Sequence, residues 1–209
     1  HLGYTEGTLA GAPVRLFRIT FSGELAYEIH TPADYGLAVW EAVLEAGESC
    51  QIVPYGTEAM TVLRIEKGHV VVGAESDGRT TVRDLGFERM MRPSGDFVGR
   101  RSLQRPALED PNRPKLVGLV PADGRSRIPR GAQIVVDAAQ PPPVTLLGHV
   151  SSQTYSPNLE MPIALALIQA PHAIEGQRLW AASPLTGENV EVVVSNPVFV
   201  DSRGDRPRG

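Results

Sequence analysis

A chain of 209 residues has room for one large or two small domains, and an apolar fraction of 42% excludes wholesale disorder. The net charge of −4, with no long run of Lys or Arg, argues against a nucleic-acid surface. No apolar run approaches the roughly 20 residues that span a bilayer, and the lone Cys50 excludes an internal disulfide framework and any cysteine-based metal site.

The opening His1-Leu2-Gly3-Tyr4 has no initiator Met and neither the basic nor the long apolar segment of a signal peptide. Residues 14–21 are apolar and β-branched enough for a strand, and Ser22-Gly23 supplies a tight turn into a second strand. Side chains alternate along a strand, so Leu25, Tyr27 and Ile29 share one face, and Ala26, Glu28 and His30 share the other. Tyr27 is therefore expected in the core. Glu28, between a small residue and a titratable one, has room beside it for a ligand. Its residue type alone is equally that of an exposed edge-strand glutamate.

A helix is expected next, with Thr31 as N-cap, Pro32 at the first helical position and Asp34 three residues after the cap. Leu37, Trp40 and Leu44, with Val39 and Val43 alongside, make its apolar stripe, and Gly47 stops it. Cys50 follows as a small packing residue. A second helix is expected over 57–67, ending at Gly68, then a strand over 69–72 and a polar turn at Glu75-Ser76-Asp77-Gly78. Pro93, Gly95 and Gly99 break regularity. Arg89, Arg92, Arg100, Arg101, Arg105 and Arg113 form a thin basic stretch that reads as a solvated connection. The proline-spaced link 104–114 is the expected boundary, dividing domains at 1–112 and 113–209.

Beyond the link the pattern is all-β. Apolar runs at 115–120, 132–136, 146–151, 163–168, 178–181 and 190–194 are set off by Gly, Pro, Asn or Asp, at the spacing of a small barrel. Gln140-Pro141-Pro142-Pro143 reads as a stiff exposed loop, and the charged, Pro/Gly-rich tail 201–209 as mobile. The fold class expected is α+β, with a mixed first domain followed by an all-β C-terminal barrel.

Few residues carry chemistry by pattern alone. Asp77 and Asp84, in or after a polar turn, read as solvated acids. Arg64 and Glu66, two apart on a helix, point to different sides. His69 reads as a satisfied core or edge histidine, and His149 as packing or as a structural hydrogen bond. No two histidines have a metal-ligand spacing, no Gly-rich loop cradles a phosphate, and Ser151-Ser152 lacks a nucleophile elbow. No catalytic residue and no metal ligand is assigned.

Gly23-Glu24-Leu25-Ala26-Tyr27-Glu28 is similar to the G-E-x-x-(aromatic or aliphatic)-E signature of the folate-binding aminomethyltransferase family. That family includes the glycine cleavage T-protein and the folate domains of sarcosine- and dimethylglycine-oxidising enzymes. Pro54-Tyr55-Gly56-Thr57-Glu58-Ala59, Leu63-Arg64-Ile65-Glu66-Lys67-Gly68, Phe97-Val98-Gly99-Arg100-Arg101-Ser102-Leu103, Gly148-His149-Val150-Ser151-Ser152 and Asn196-Pro197-Val198-Phe199 follow in the family's order. The Pro-Tyr-Gly-Thr-Glu-Ala wording, with Glu-Lys-Gly after it, looks most like the C-terminal part of the alpha-subunit branch of heterotetrameric sarcosine oxidases. The fold so implied is the C-terminal part of an aminomethyltransferase-like folate domain followed by the barrel.

The resemblance implies that Glu28 hydrogen-bonds the pterin ring of tetrahydrofolate. It implies participation in oxidative demethylation of sarcosine, a step of one-carbon metabolism; a cytoplasmic setting is expected from the cysteine usage. FAD, FMN and NAD would be bound elsewhere in the full complex. The implied partners are further N-terminal sequence of the same chain and the other sarcosine oxidase subunits, because the family's catalytic aspartate lies upstream of the motif. The segment alone is expected to be inactive. Met60 stands where the glycine cleavage enzyme has a folate-contacting arginine, and Gly204 where the family has a folate-contacting tyrosine, so binding of the folate tail should be reorganised or weaker. Other readings are a folate-dependent aminomethyltransferase or demethylase without flavin, and a structural module that has lost folate.

Overall fold

The computed structural model describes residues 2–91 and 94–209; His1, Arg92 and Pro93 lie outside the described residues. The chain forms two compact units, His1–Arg64 with Asp201–Gly209, and Ile65–Val200.

The first unit is built on a three-stranded antiparallel sheet in the order β1-β2-β3, with β1 at Gly3–Leu9, β2 at Ala12–Arg18 and β3 at Glu28–His30. β1 carries no clear strand signal in the sequence, because its glycines dilute the apolar pattern. Its marker is the two-residue turn Ala10-Gly11, in which both residues have positive φ as a tight hairpin requires. The tight turn expected at Ser22-Gly23 is instead a longer connection over 19–27, closed locally by the Gly23 N–H donating to Thr20 Oγ1 at 3.0 Å. The second strand is therefore only three residues long, and Tyr27 precedes it.

A 3-10 turn at Ala33–Tyr35 leads into α1, Gly36–Gly47. Thr31 does not cap it; its hydroxyl donates to the Pro13 carbonyl at 3.1 Å, which ties the helix entry to the sheet. Of the expected stripe Val39 is buried, whereas Leu37 and Trp40 are exposed. Cys50 is also exposed, contrary to its expected packing role. α2 spans Thr57–Glu66. Gly68 ends it as expected, at φ +70°, where a Cβ would lie 2.5 Å from the Pro197 carbonyl oxygen. The tail makes contacts in this structure: Pro207 is buried, Arg18 Nη2 donates to the Arg208 carbonyl at 2.6 Å, and Arg206 Nη1 pairs with Glu24 Oε1 at 2.8 Å.

In the second unit the strand expected over 69–72 is absent. The Val71 carbonyl accepts from the N–H groups of Ala74 and Glu75, so the chain turns there. Irregular chain with a short helix α3 (Pro106–Glu109) then runs to the barrel. Six strands follow: β4 Pro114–Pro121, β5 Gln133–Val135, β6 Gly148–Ser156, β7 Met161–Gln169, β8 Arg178–Ser183 and β9 Glu188–Ser195. They close into a barrel in the order β4-β7-β6-β5-β8-β9. All six expected runs are strands, and the α+β class with an all-β C-terminal barrel is borne out.

The 161–168 run is almost continuously apolar because both faces of β7 are covered. Ala164, Ala166 and Ile168 point into the barrel core with Leu119, Ile134, Leu179 and Val192. Ile163 and Leu165 point outward onto Leu116 and Ile65. Closure brings backbones close at Gly148, where a Cβ would overlap the Leu167 carbonyl oxygen and lie 2.9 Å from Ile168 Cα. Gly148→Ala is therefore expected to cost about 1–3 kcal/mol, the usual scale of overpacking. A fall in the urea midpoint of barrel unfolding measures it, and an unchanged midpoint would show that β6 and β7 can part freely.

Candidate functional site

The period of two along each strand sorts the first unit's sheet into two faces. Glu28 pairs with Phe17 on β2, and Phe17 pairs with Tyr4 on β1. The next row on the same face is His30, Arg15 and Glu6. One sheet face thus presents two glutamates, a histidine and an arginine around the Phe17 and Tyr4 rings.

The contacts follow the rows. Glu28 Oε2 accepts from His30 Nε2 at 3.2 Å. The Phe17 ring lies 5.0 Å from Tyr4 and 4.9 Å, edge-on, from His30. Glu6 accepts from the Tyr4 hydroxyl and from Arg15 Nε. The bond to Glu6 pushes the Tyr4 phenol above its ordinary pKa, and the same bond, with Arg15 behind it, holds Glu6 below its own. A groove of about 500 Å³ runs beside His30, bounded by Glu6, Arg15, Thr31 and Pro32.

Glu28 and His30 do share a face, as the alternation requires, and the Glu28 side chain remains half exposed. Tyr27, expected in the core, is 54% exposed because it lies in the connection before β3. Met60 is half-buried on α2. Gly204 sits at φ +70° in a turn closed by its N–H donating to the Asp201 carbonyl. Tyr4, Glu6 and Arg15 were not foreseen as neighbours of Glu28, since that needed β1 and its register.

Of the two acids expected to be solvated in the second unit, Asp77 is exposed and Asp84 is not. Asp77 is solvated, and the Arg79 side chain followed by its backbone N–H holds its pKa down to about 2. Asp84 is instead buried, with Arg113 Nε on Oδ1 at 3.0 Å and Arg113 Nη2 on Oδ2 at 2.5 Å. Burial works against its charge, yet the Arg113 hydrogen bonds and those from Thr81 leave its pKa below the ordinary value. Glu75, expected in a polar turn, is fully buried and accepts from Val71 N–H, Ser151 Oγ and Ser152 Oγ at 2.9, 2.8 and 2.5 Å. Glu66 is buried at the end of α2 and accepts from Ser156 and Asn158. These carboxylates are anchors within the unit, and their partners are already in place. His69 is half-buried and His149 exposed. Among the described residues no group of three His, Cys, Asp or Glu could hold a metal ion, and no helix is long and apolar enough to cross a membrane.

Residues 1–94 match the family model described as the GCVT N-terminal domain, and residues 115–201 match the glycine cleavage T-protein C-terminal barrel domain. The chain belongs to the glycine cleavage T-protein family. Among its relatives, the sarcosine oxidase subunit alpha of Rhizobium meliloti is 44% identical, over 91% of this chain and 19% of that protein. Its counterpart from Corynebacterium sp. (strain P-1) is 42% identical, over 100% of this chain and 22% of that protein. The aminomethyltransferase of Streptomyces coelicolor is 36% identical, over 81% and 45%. This family member thus spans about a fifth of the oxidase subunits and about half of the transferases it matches. The crystal structure of aminomethyltransferase T from Bartonella henselae superposes with a TM-score of 0.71 at 22% identity, covering 90% of this chain and 50% of that one, and so shares the fold.

Proposed function

We propose that this chain is the folate-binding portion of a sarcosine oxidase alpha subunit. In this reading it takes part in oxidative demethylation of sarcosine, with the one-carbon unit passed to tetrahydrofolate. The observation that carries the reading is the half-exposed Glu28 carboxylate at the rim of an aromatic sheet face, in a chain 42–44% identical to such subunits.

The residues present fit the pterin. Its aminopyrimidine edge offers two N–H donors side by side, and an ionised carboxylate, an acceptor only, takes both. Bound tetrahydrofolate supplies the nitrogens that receive the one-carbon unit. Glu28 would fix the ring, and Phe17 and Tyr4 would keep water from one side of the carboxylate. Met60 offers no charge to the glutamate tail, and Gly204 no side chain, so tail contacts must come from other groups.

The assignment divides the chain into a folate-domain portion, 1–112, and a barrel, 113–209. It places FAD, FMN and NAD outside these residues, in a cytoplasmic assembly with other oxidase subunits. The identity to aminomethyltransferases supports a second reading, a transferase without flavin. Flavin absorbance of the intact protein separates the two.

In the intact protein Glu28→Gln should weaken tetrahydrofolate binding roughly tenfold to a hundredfold, the scale of a hydrogen bond to a charged group. Amine-dependent flavin reduction should be unchanged, because that chemistry is placed elsewhere. Titration of folate into wild type and variant measures both effects. Equal affinities would return Glu28 to an exposed surface glutamate.

A further inference from the structure

We propose that His30 is a second ligand-contacting residue of this site and reads the C4 oxygen of the pterin. The proposal rests on the folate reading of Glu28.

An ionised carboxylate carries no proton, so in the 3.2 Å contact the hydrogen belongs to His30 Nε2 and Glu28 Oε2 accepts it. The β3 edge therefore presents acceptor, acceptor, donor in sequence: the two Glu28 oxygens, then the His30 N–H. The pterin edge presents the complement, with the 2-amino group, N3–H and the C4 carbonyl oxygen in the order donor, donor, acceptor. A separation of 3.2 Å lets Oε2 and Nε2 face adjoining atoms of one ring edge.

The His30 ring packs against Phe17, which meets it edge-on at 4.9 Å and 66°. Arg15, directly across on β2, pairs with Glu6 through Nε at 3.2 Å, whereas His30 is in contact with the Glu28 carboxylate itself. Both members of the pair are at least half exposed, His30 at 57% and Glu28 at 50%, so the contact contributes little to stability. At 3.2 Å it is also longer than the usual charge-assisted bond of about 2.7–2.9 Å. A ligand oxygen can take the N–H without a large loss.

The test is a cycle between protein and ligand, read by binding titrations on the intact protein. The ligands are tetrahydrofolate and its 4-thio analogue, in which sulfur, a weak acceptor, replaces the C4 oxygen while N3–H and the 2-amino group remain. Wild type should prefer the oxygen compound about tenfold, the loss of one hydrogen bond. In His30→Phe that preference should vanish, and in His30→Gln, which keeps a donor, it should largely return. Glu28→Gln should weaken both ligands alike. A preference that survives in His30→Phe while Glu28→Gln still weakens both ligands overturns the proposal and leaves the folate reading standing. Unchanged affinities in Glu28→Gln would sink that reading itself.

Discussion

Arg113→Met is expected to destabilise the Ile65–Val200 unit by about 3–5 kcal/mol, the scale for stranding one charge of a buried pair. The Asp84 side chain is 3% exposed and the Arg113 side chain 18%. Arg113 also donates from Nη2 to the Arg79 carbonyl at 2.7 Å and from Nη1 to the Ala107 carbonyl at 3.3 Å, so one guanidinium ties three parts of the irregular segment to the start of β4. Methionine keeps the apolar stem and removes every donor. Adding Asp84→Asn to Arg113→Met should recover part of the loss, since no orphaned charge then remains. Hydrogen exchange of the barrel amides in the intact protein measures both, and an Arg113→Met barrel as protected as wild type would show the pair to be dispensable.

The same pair gives the unit an acid limit. The folded pKa of Asp84 lies below its unfolded value. Its contribution is therefore present above the unfolded carboxylate pKa of about 3.9 and is lost as pH falls through the folded value. In Asp84→Asn that part of the acid sensitivity should disappear.

Glu66→Ala is expected to cost about 2–4 kcal/mol, from lost bonds to a charged acceptor together with a buried hydroxyl left with a proton to donate. Glu66 Oε2 accepts from Asn158 Nδ2 at 2.7 Å, and Oε1 from the Ser156 hydroxyl and the Asn158 N–H. Ser156 is fully buried, and its oxygen already accepts from the Leu159 N–H. The Glu66 carbonyl also accepts from the N–H groups of Phe199 and Val200, so the end of α2 grips both the β6–β7 turn and the chain after β9. Glu66→Gln keeps one acceptor and should cost less. Thermal unfolding followed by a barrel-specific probe distinguishes the two variants; equal and small losses would make the network incidental.

Much of the fold is legible in the amino-acid sequence. The six barrel strands announce themselves as short apolar runs between turn residues, and β7 further as a run apolar on both faces. Gly68 was legible as a helix stop. β1 was not, because Gly3, Thr5 and Gly7 on one of its faces carry little hydrophobic signal. The turn at Ser22-Gly23 was drawn too tight: a serine–glycine pair marks a bend but does not say how much chain enters it.

The site divides in the same way. The period of two placed Glu28 and His30 side by side from sequence alone, because two residues on one strand need no tertiary information to share a face. Tyr4, Glu6 and Arg15 joined them only once the register of β1 and β2 was known. Asp84 reads locally as a solvated acid, Glu75 as part of a polar turn, and the burial of Glu66 has no local signal, for a related reason. Asp84 finds Arg113 29 positions away, Glu75 finds Ser151 76 away, and Glu66 finds Ser156 90 away. Local sequence reports a residue's neighbours in the chain, and at Glu75-Ser76-Asp77-Gly78 those are polar.

The amino-acid sequence by itself determined the α+β class with an all-β C-terminal barrel and the shared face of Glu28 and His30, through short-range periodicity, and its motifs carried the resemblance to the family. Only the tertiary structure decided which carboxylates lose their water. Burial of a charge depends on a partner brought in by chain folding, and the cost of an unpaired buried charge is large enough that the partner, not the local composition, sets the outcome. Glu28 stays half exposed on its sheet face. Asp84, Glu75 and Glu66 are enclosed because Arg113, Ser151 and Ser156 arrive to meet them.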